Sequence, residues 1–211
     1  MNPEETRPAQ NTLLDTILPQ SDIHAQYQLL MLGSPASVFR AIKELTPRDI
    51  PLLSPLMALR SLPNRLIGKS GGLAAKQPLM SQLTAAGFVD LGQQPDREIV
   101  VGCIGQFWKI TGNEQMIAFR NVEEFTAFET PGYVKVAMSF LLEPENKGTL
   151  VSTETRILAT DEVAKKRFSW YWRVIGVGSG AIRRSWLKAI RRRVQQQKDP
   201  RDGDSLCWKS P

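Results

Sequence analysis

The residues whose types and spacing could do chemistry centre on Glu154 and Arg156, two apart in the alternating run Gly148 to Ala159. A period of two is that of a strand, whose successive side chains point to opposite faces. Glu154 and Arg156 therefore share a face with Leu150, Ser152 and Leu158. A carboxylate beside a guanidinium can be a surface ion pair, a fastening between the sheet and the C-terminal helix, or a polar patch inside a cavity. In the cavity the charges must be paired or solvated, because an isolated buried charge is very costly. Glu98, at the start of a neighbouring strand, is a similar candidate. Tyr133 and Tyr171 add phenols able to act as acid–base or oxyanion-stabilising groups. Arg60 lies on an otherwise apolar helix beside a loop, where it is either solvated or a contact for a ligand's carboxylate or phosphate. Trp108, Phe119, Tyr171 and Trp172 either line a pocket or pack a core.

Other chemistries find little support. The single histidine, His24, adjoins a polar leader, and neither Cys103 nor Cys207 has a ligand-spaced partner. The expectation is no metal, no cofactor and no nucleophile activated by His24. Gly68-Lys69-Ser70 matches the end of a phosphate-binding loop, but position 63 is Pro where that loop needs its first glycine. Cys103 sits in an apolar strand and Cys207 in a polar tail. That pattern reads as free thiols in a reducing, cytoplasmic compartment. No apolar run reaches ~18 residues, so no spanning helix is expected. Residues 1–22 lack the basic-then-apolar pattern of a secretory signal and read as a flexible leader.

Charge is unevenly placed. Residues 1–180 carry 18 Lys/Arg and 18 Asp/Glu, whereas residues 181–211 carry nine and three, the whole net charge of +6. Arg183, Arg184, Lys188, Arg191, Arg192, Arg193 and Lys198 make one face or end of the last helix basic. That is either a solvated face with cations favourably near a helix C-terminus, or a contact for an anionic membrane surface or nucleic acid. The cluster lacks interleaved aromatics apart from Trp186, which belongs to an apolar stripe, so a nucleic-acid stacking platform is not expected.

The elements that must position these residues follow from periodicity and caps. Ala25 to Leu32 reads as a first strand. Two short helices follow, opened by Ser34-Pro35 and Ser54-Pro55, since serine accepts free amide hydrogens and proline suits the first helical position. Residues 63–78 read as a loop, and Leu79 to Ala86 as a short helix stopped by Gly87. Phe88 to Leu91 and Arg97 to Trp108 are strands. The second is apolar on both faces and therefore central, with Gly102 and Gly105 marking a bulge or bend. Gln115 to Arg120 is a short strand, and Asn121 caps a helical turn. Tyr133 to Leu142 and Gly148 to Ala159 form a hairpin. Helical spacing begins at Thr160-Asp161. The Gly176–Gly180 stretch is expected to break or kink that helix, with Ser179 capping a second part whose stripe is Ile182, Trp186, Ile190 and Val194. The result is an α+β protein: one domain over residues 23–198, a leader at 1–22 and a polar tail at 199–211.

This order of elements resembles the START-like helix-grip superfamily, also called SRPBCC, which includes polyketide cyclase-like and birch-pollen-allergen-like proteins. Its uncharacterised bacterial members are the nearest likeness. The segments that carry it are Leu59-Arg60-Ser61-Leu62-Pro63, Gly87-Phe88, Glu98 to Gly102 with Gly105 and Phe107-Trp108, Thr153 to Ile157, Phe168, Tyr171-Trp172, and Ser179 to Arg184. The resemblance covers about residues 25–195. It implies a curved antiparallel sheet wrapped around a long, kinked C-terminal helix, with an apolar cavity between them. Members bind lipids, hormones or polyketides, and some catalyse cyclisation or hydrolysis. The expected ligand is a hydrophobic or amphipathic small molecule, contacted by Arg60, Trp108, Phe119, Glu154, Arg156, Tyr171 and Trp172. A cyclase- or hydrolase-type enzyme is the alternative, and a lipid-surface adaptor using the basic helix a third.

Overall fold

The computed structural model describes residues 11–50, 74, 76–109 and 116–197. The predicted second helix, Arg60 and the tail lie outside them. Six antiparallel strands form one open sheet: β1 (Ile23–Met31), β2 (Val89–Gln94), β3 (Glu98–Gly105), β4 (Met116–Ile117), β5 (Val134–Glu145) and β6 (Gly148–Ala159). Their spatial order is β1-β6-β5-β3-β2, with β4 also pairing with β3. Five α-helices and one 3-10 turn (Pro47–Asp49) accompany them among the described residues: α1 (Leu13–Ile17), α2 (Pro35–Glu44), α3 (Leu79–Ala85), α4 (Val122–Ala127) and α5 (Glu162–Gln197). This is an α+β fold with an open antiparallel sheet and a long C-terminal helix, consistent with a helix grip.

Two caps read from the sequence are in place. Ser34 accepts from the amide of Ser37 with Pro35 in the first turn, and Asn121 accepts from Glu124. Asp161 opens α5 by accepting from the amides of Val163 and Ala164 at 2.7 and 2.8 Å. Every residue of β3 is buried, as its two apolar faces require. The irregularity expected at Gly102 and Gly105 falls instead on the paired strand, between Asp90 and Gly92. The β5–β6 hairpin closes through Glu145 opposite Gly148. Gly148 has φ +150°, and a Cβ there would overlap the Met31 carbonyl oxygen. Only glycine lets β1 lie this close to the turn.

Alternation along each strand builds two cores. On one face Met31, Ile99, Val101, Phe140, Leu142 and Val151 pack with Val38, Phe39 and Ile42 of α2 and Trp186, Leu187, Ile190 and Val194 of α5. On the other, Val100, Ile104 and Ala137 pack with α1 and with Phe119 and Phe125. Each fully buried Leu, Ile or Phe supplies about 1.5–3 kcal/mol, so both layers hold the sheet substantially.

Two expectations are corrected. The stretch read as a flexible leader contains α1, whose Leu14 and Ile17 are buried on the sheet. Leu13, Leu14, Ile17 and Leu18 form a helical apolar pattern too short to stand out beside the polar residues around it. The glycine stretch does not divide the C-terminal helix: α5 runs unbroken for 36 residues and Ser179 caps nothing. Helix interiors tolerate glycine when packing supports them, and here Gly180 is buried against β1.

Candidate functional site

The β1–β6 register places His24 opposite Arg156 and Gln26 opposite Glu154, on the face that α1 covers. There Arg156 Nη2 contacts Asp15 at 2.6 Å, its Nε contacts Glu154 at 2.6 Å, and its Nη1 donates to the Leu18 carbonyl at 3.0 Å. His24 Nε2 lies 3.0 Å from the same Glu154 oxygen. Burial pushes Asp15 upward, but hydrogen bonds from Arg156 and Thr12 outweigh it and hold this carboxyl below its usual value. Glu98, fully buried, accepts from the amides of Leu13 and Leu14 at 2.7 and 3.2 Å. Burial raises its pKa, and those two amides oppose the rise. The two strongest sequence candidates therefore fasten α1 to the sheet, away from α5. Arg156→Ala is expected to cost about 1–3 kcal/mol, by stranding two carboxylates and a carbonyl. Hydrogen exchange should show it as faster exchange in α1, with the β3 and β5 amides still protected.

Phe119 also falls on the α1 face, 5.5 Å from the Phe125 ring. Tyr133 packs there as well. Trp108, Tyr171 and Trp172 do come together, on the α5 face, around the buried Phe168 ring. Centroid distances to Phe168 are 6.4, 5.7 and 5.9 Å.

The α5 face has a gap in its apolar packing. One cluster gathers around Trp186 and Ile190, and a separate one around Phe168. Between Phe168 and Gly180 no residue of α5 is fully buried. The sheet beneath carries Tyr27, Thr153 and Phe140 in one cross-strand row, and Ala25, Thr155 and Met138 in the next. Thr153 and Thr155 are buried, and neither hydroxyl has a hydrogen-bond partner among the described residues. Gly180 brings the helix down onto Tyr27, where a Cβ would overlap the phenol oxygen. Only a residue without a side chain allows that approach.

One turn further along α5 is Arg183, which the sequence groups with the exposed basic face. It is 7% exposed. Among the described residues its Nη1 has no hydrogen-bond partner and no carboxylate pairs with it. Burial pushes its pKa down to about 10, with the nearby Tyr27 acting weakly the other way. Other members of that basic cluster are engaged: Arg193 bridges Asp49 at 3.0 Å and Glu44 at 3.7 Å, and Arg192 donates to the Asp49 carbonyl. Tyr27, Thr153 and Thr155 were not legible as site residues. The only signal was polar residues on the apolar side of two alternating strands. Arg183 lies three residues before Trp186 and seven before Ile190, on the apolar stripe, and that spacing was the signal that could have found it; its charge grouped it instead with Arg184, which is exposed.

No family profile and no curated protein matches the chain. Solved structures do. The protein MLL2253 from Mesorhizobium loti is 10% identical, with TM-score 0.37, covering 84% of this chain and 100% of that one. TTHA0849 from Thermus thermophilus is 11% identical, with TM-score 0.33, covering 83% and 99%. The KanY protein is 11% identical, with TM-score 0.36, and also covers 83% and 99%.

Proposed function

We propose that the chain is a START-like helix-grip protein that binds a hydrophobic or amphipathic small molecule between α5 and the sheet. The observation that carries this reading is the break between the Trp186 and Phe168 clusters, where α5 fully buries no residue from 169 to 179. A long helix laid on a sheet normally buries a continuous stripe. Here the stripe is interrupted over buried hydroxyls, with Tyr171, Trp172 and Ile175 half-buried around it. Apolar walls with a few oriented polar groups are the usual make-up of a small-molecule site. The test is native mass spectrometry of gently purified protein, then organic extraction. A stoichiometric mass that extraction removes is expected; a clean unliganded mass, with no uptake of added amphiphiles, sinks the reading.

The enzyme alternative is weaker on the same geometry. Glu98 is the one buried carboxylate among the described residues, and it is held by α1 on the opposite face. Acid–base catalysis at the α5 face would fall to Tyr27 or Tyr171.

The surface-adaptor reading keeps one specific support. From Val163 to Gln197 the chain contains no Asp or Glu. Trp170, Val174 and Val177 on α5 are 71%, 74% and 79% exposed, and Lys166, Arg167, Arg173, Arg184, Lys188 and Arg191 are exposed on the same helix. Apolar and basic residues on one helix surface suit an anionic bilayer. Vesicles containing phosphatidylserine should then sediment the protein at low salt, release it as salt rises, and bind Trp170→Ala several-fold more weakly. No sedimentation at low salt would exclude this role.

A further inference from the structure

We infer that Arg183 is an anion-recognition group, and that the molecule taken between α5 and the sheet is a monoanionic amphiphile whose carboxylate meets this guanidinium. The inference rests on the cavity reading above and names its ligand class. Three observations converge on it. First, Arg183 is a buried cation to which no described residue supplies a counter-charge. Buried charges are ordinarily paired, because removing an ion from water is costly unless an opposite charge replaces the solvent. Second, the sheet beside this part of α5 carries hydroxyl donors. Tyr27, whose hydroxyl meets Gly180, is paired in register with Thr153, and Thr155 follows two residues on the same face. The Thr153 and Thr155 hydroxyls are buried without partners among the described residues. Third, the adjacent stretch of α5 fully buries no residue from 169 to 179, and Trp172 and Ile175, both half-buried, offer apolar surface there.

The charge count selects the class. Lys135, the other buried cation among the described residues, lies on the α1 side, where it donates to the Thr126 carbonyl at 3.0 Å. One guanidinium balances one negative charge. A phosphate dianion would bury a second charge without a partner, whereas a carboxylate matches the planar fork and leaves the hydroxyls to donate to its outer lone pairs.

Calorimetric titration with decanoate and with its neutral isostere decanamide tests this on the full chain. Wild-type protein should bind decanoate about tenfold tighter or more, the ratio a charge-assisted hydrogen bond supplies. Arg183→Met should bind the two alike, and Arg183→Lys should keep part of the preference. Circular dichroism establishes that each variant is folded. Equal affinity of wild type for both compounds overturns the anion assignment while leaving the cavity reading standing. A decanoate preference that survives in Arg183→Met overturns it too. Binding of neither compound removes the cavity reading and this inference together.

Discussion

Arg183→Met is expected to raise the melting temperature of the ligand-free protein. The substitution keeps most of the side-chain volume and removes a buried charge that no described residue balances. Replacing buried ionic groups by apolar ones of similar size is often neutral or stabilising, by about 1–4 kcal/mol. For a domain of this length that corresponds to roughly 2–4 °C per kcal/mol. The pH dependence has a definite sign. Arg183 has a folded pKa depressed to about 10, below the ordinary guanidinium value, because burial penalises its charged form. Its cost is therefore fully present at every pH below the folded value, and declines only as pH rises from about 10 toward the unfolded value. The stabilisation by methionine should consequently be constant across neutral pH. Differential scanning calorimetry at three pH values spanning neutrality measures it. A fall of several degrees at all three would show that Arg183 is balanced in the free protein, and that its burial has no bearing on a ligand. A residue that lowers stability where an apolar one would raise it is characteristic of binding sites.

Phe168→Ala is expected to destabilise the protein by about 3–5 kcal/mol, the range for truncating a core phenylalanine. Phe168 is 4% exposed and touches Phe107, Trp108, Tyr171 and Trp172, with Trp172 stacked at 25° between ring planes. It also joins the start of α5 to Val134 and Ile157 of the sheet. Removing the ring opens a cavity among large aromatics that cannot collapse into it, so little of the loss is recovered. Because domains are typically stable by only ~5–15 kcal/mol, denaturant unfolding should move markedly, and near-ultraviolet dichroism should lose tryptophan signal. A change below ~1 kcal/mol would mean that this end of α5 is loosely held and that the Phe168 cluster does not anchor it.

These two residues sit at opposite ends of the thinly packed stretch of α5, one apolar and one charged. Phe168 fixes the helix at one end, and the Trp186–Ile190 packing with the Arg193 bridges fixes it at the other. The middle, which fully buries no residue from 169 to 179, is held between those two ends. That explains how a glycine-containing segment stays helical while burying little: its ends, not its own contacts, hold it.

Much of this was determined by the sequence alone. Period-two runs marked out β3, β5 and β6, and the burial of β3 on both faces, because alternation reports directly which side chains share a face. Ser34-Pro35 and Asn121 placed helix starts, because capping is a local hydrogen bond between residues three apart or fewer. Phe168, Tyr171 and Trp172 were legible as one group for the same reason, since helical spacing brings them together without help from the rest of the chain. What the sequence could not settle were choices between two equivalent surfaces. Glu154 and Arg156 plainly shared a face, but only the packing of α1, supplied by residues more than a hundred positions away, made it the face remote from α5. Arg183 and Arg184 are alike in type and adjacent in sequence. Their shared charge hid a difference in helical spacing: Arg183 falls on the stripe of Trp186 and Ile190, whereas Arg184 lies over the Tyr27 ring, 5.5 Å from its centroid. The glycine stretch was likewise ambiguous, because glycine weakens a helix by only about 1 kcal/mol and clamped ends can overcome that. Local hydrogen bonding and periodicity fix elements; which of their faces meets another element is a property of long-range packing alone.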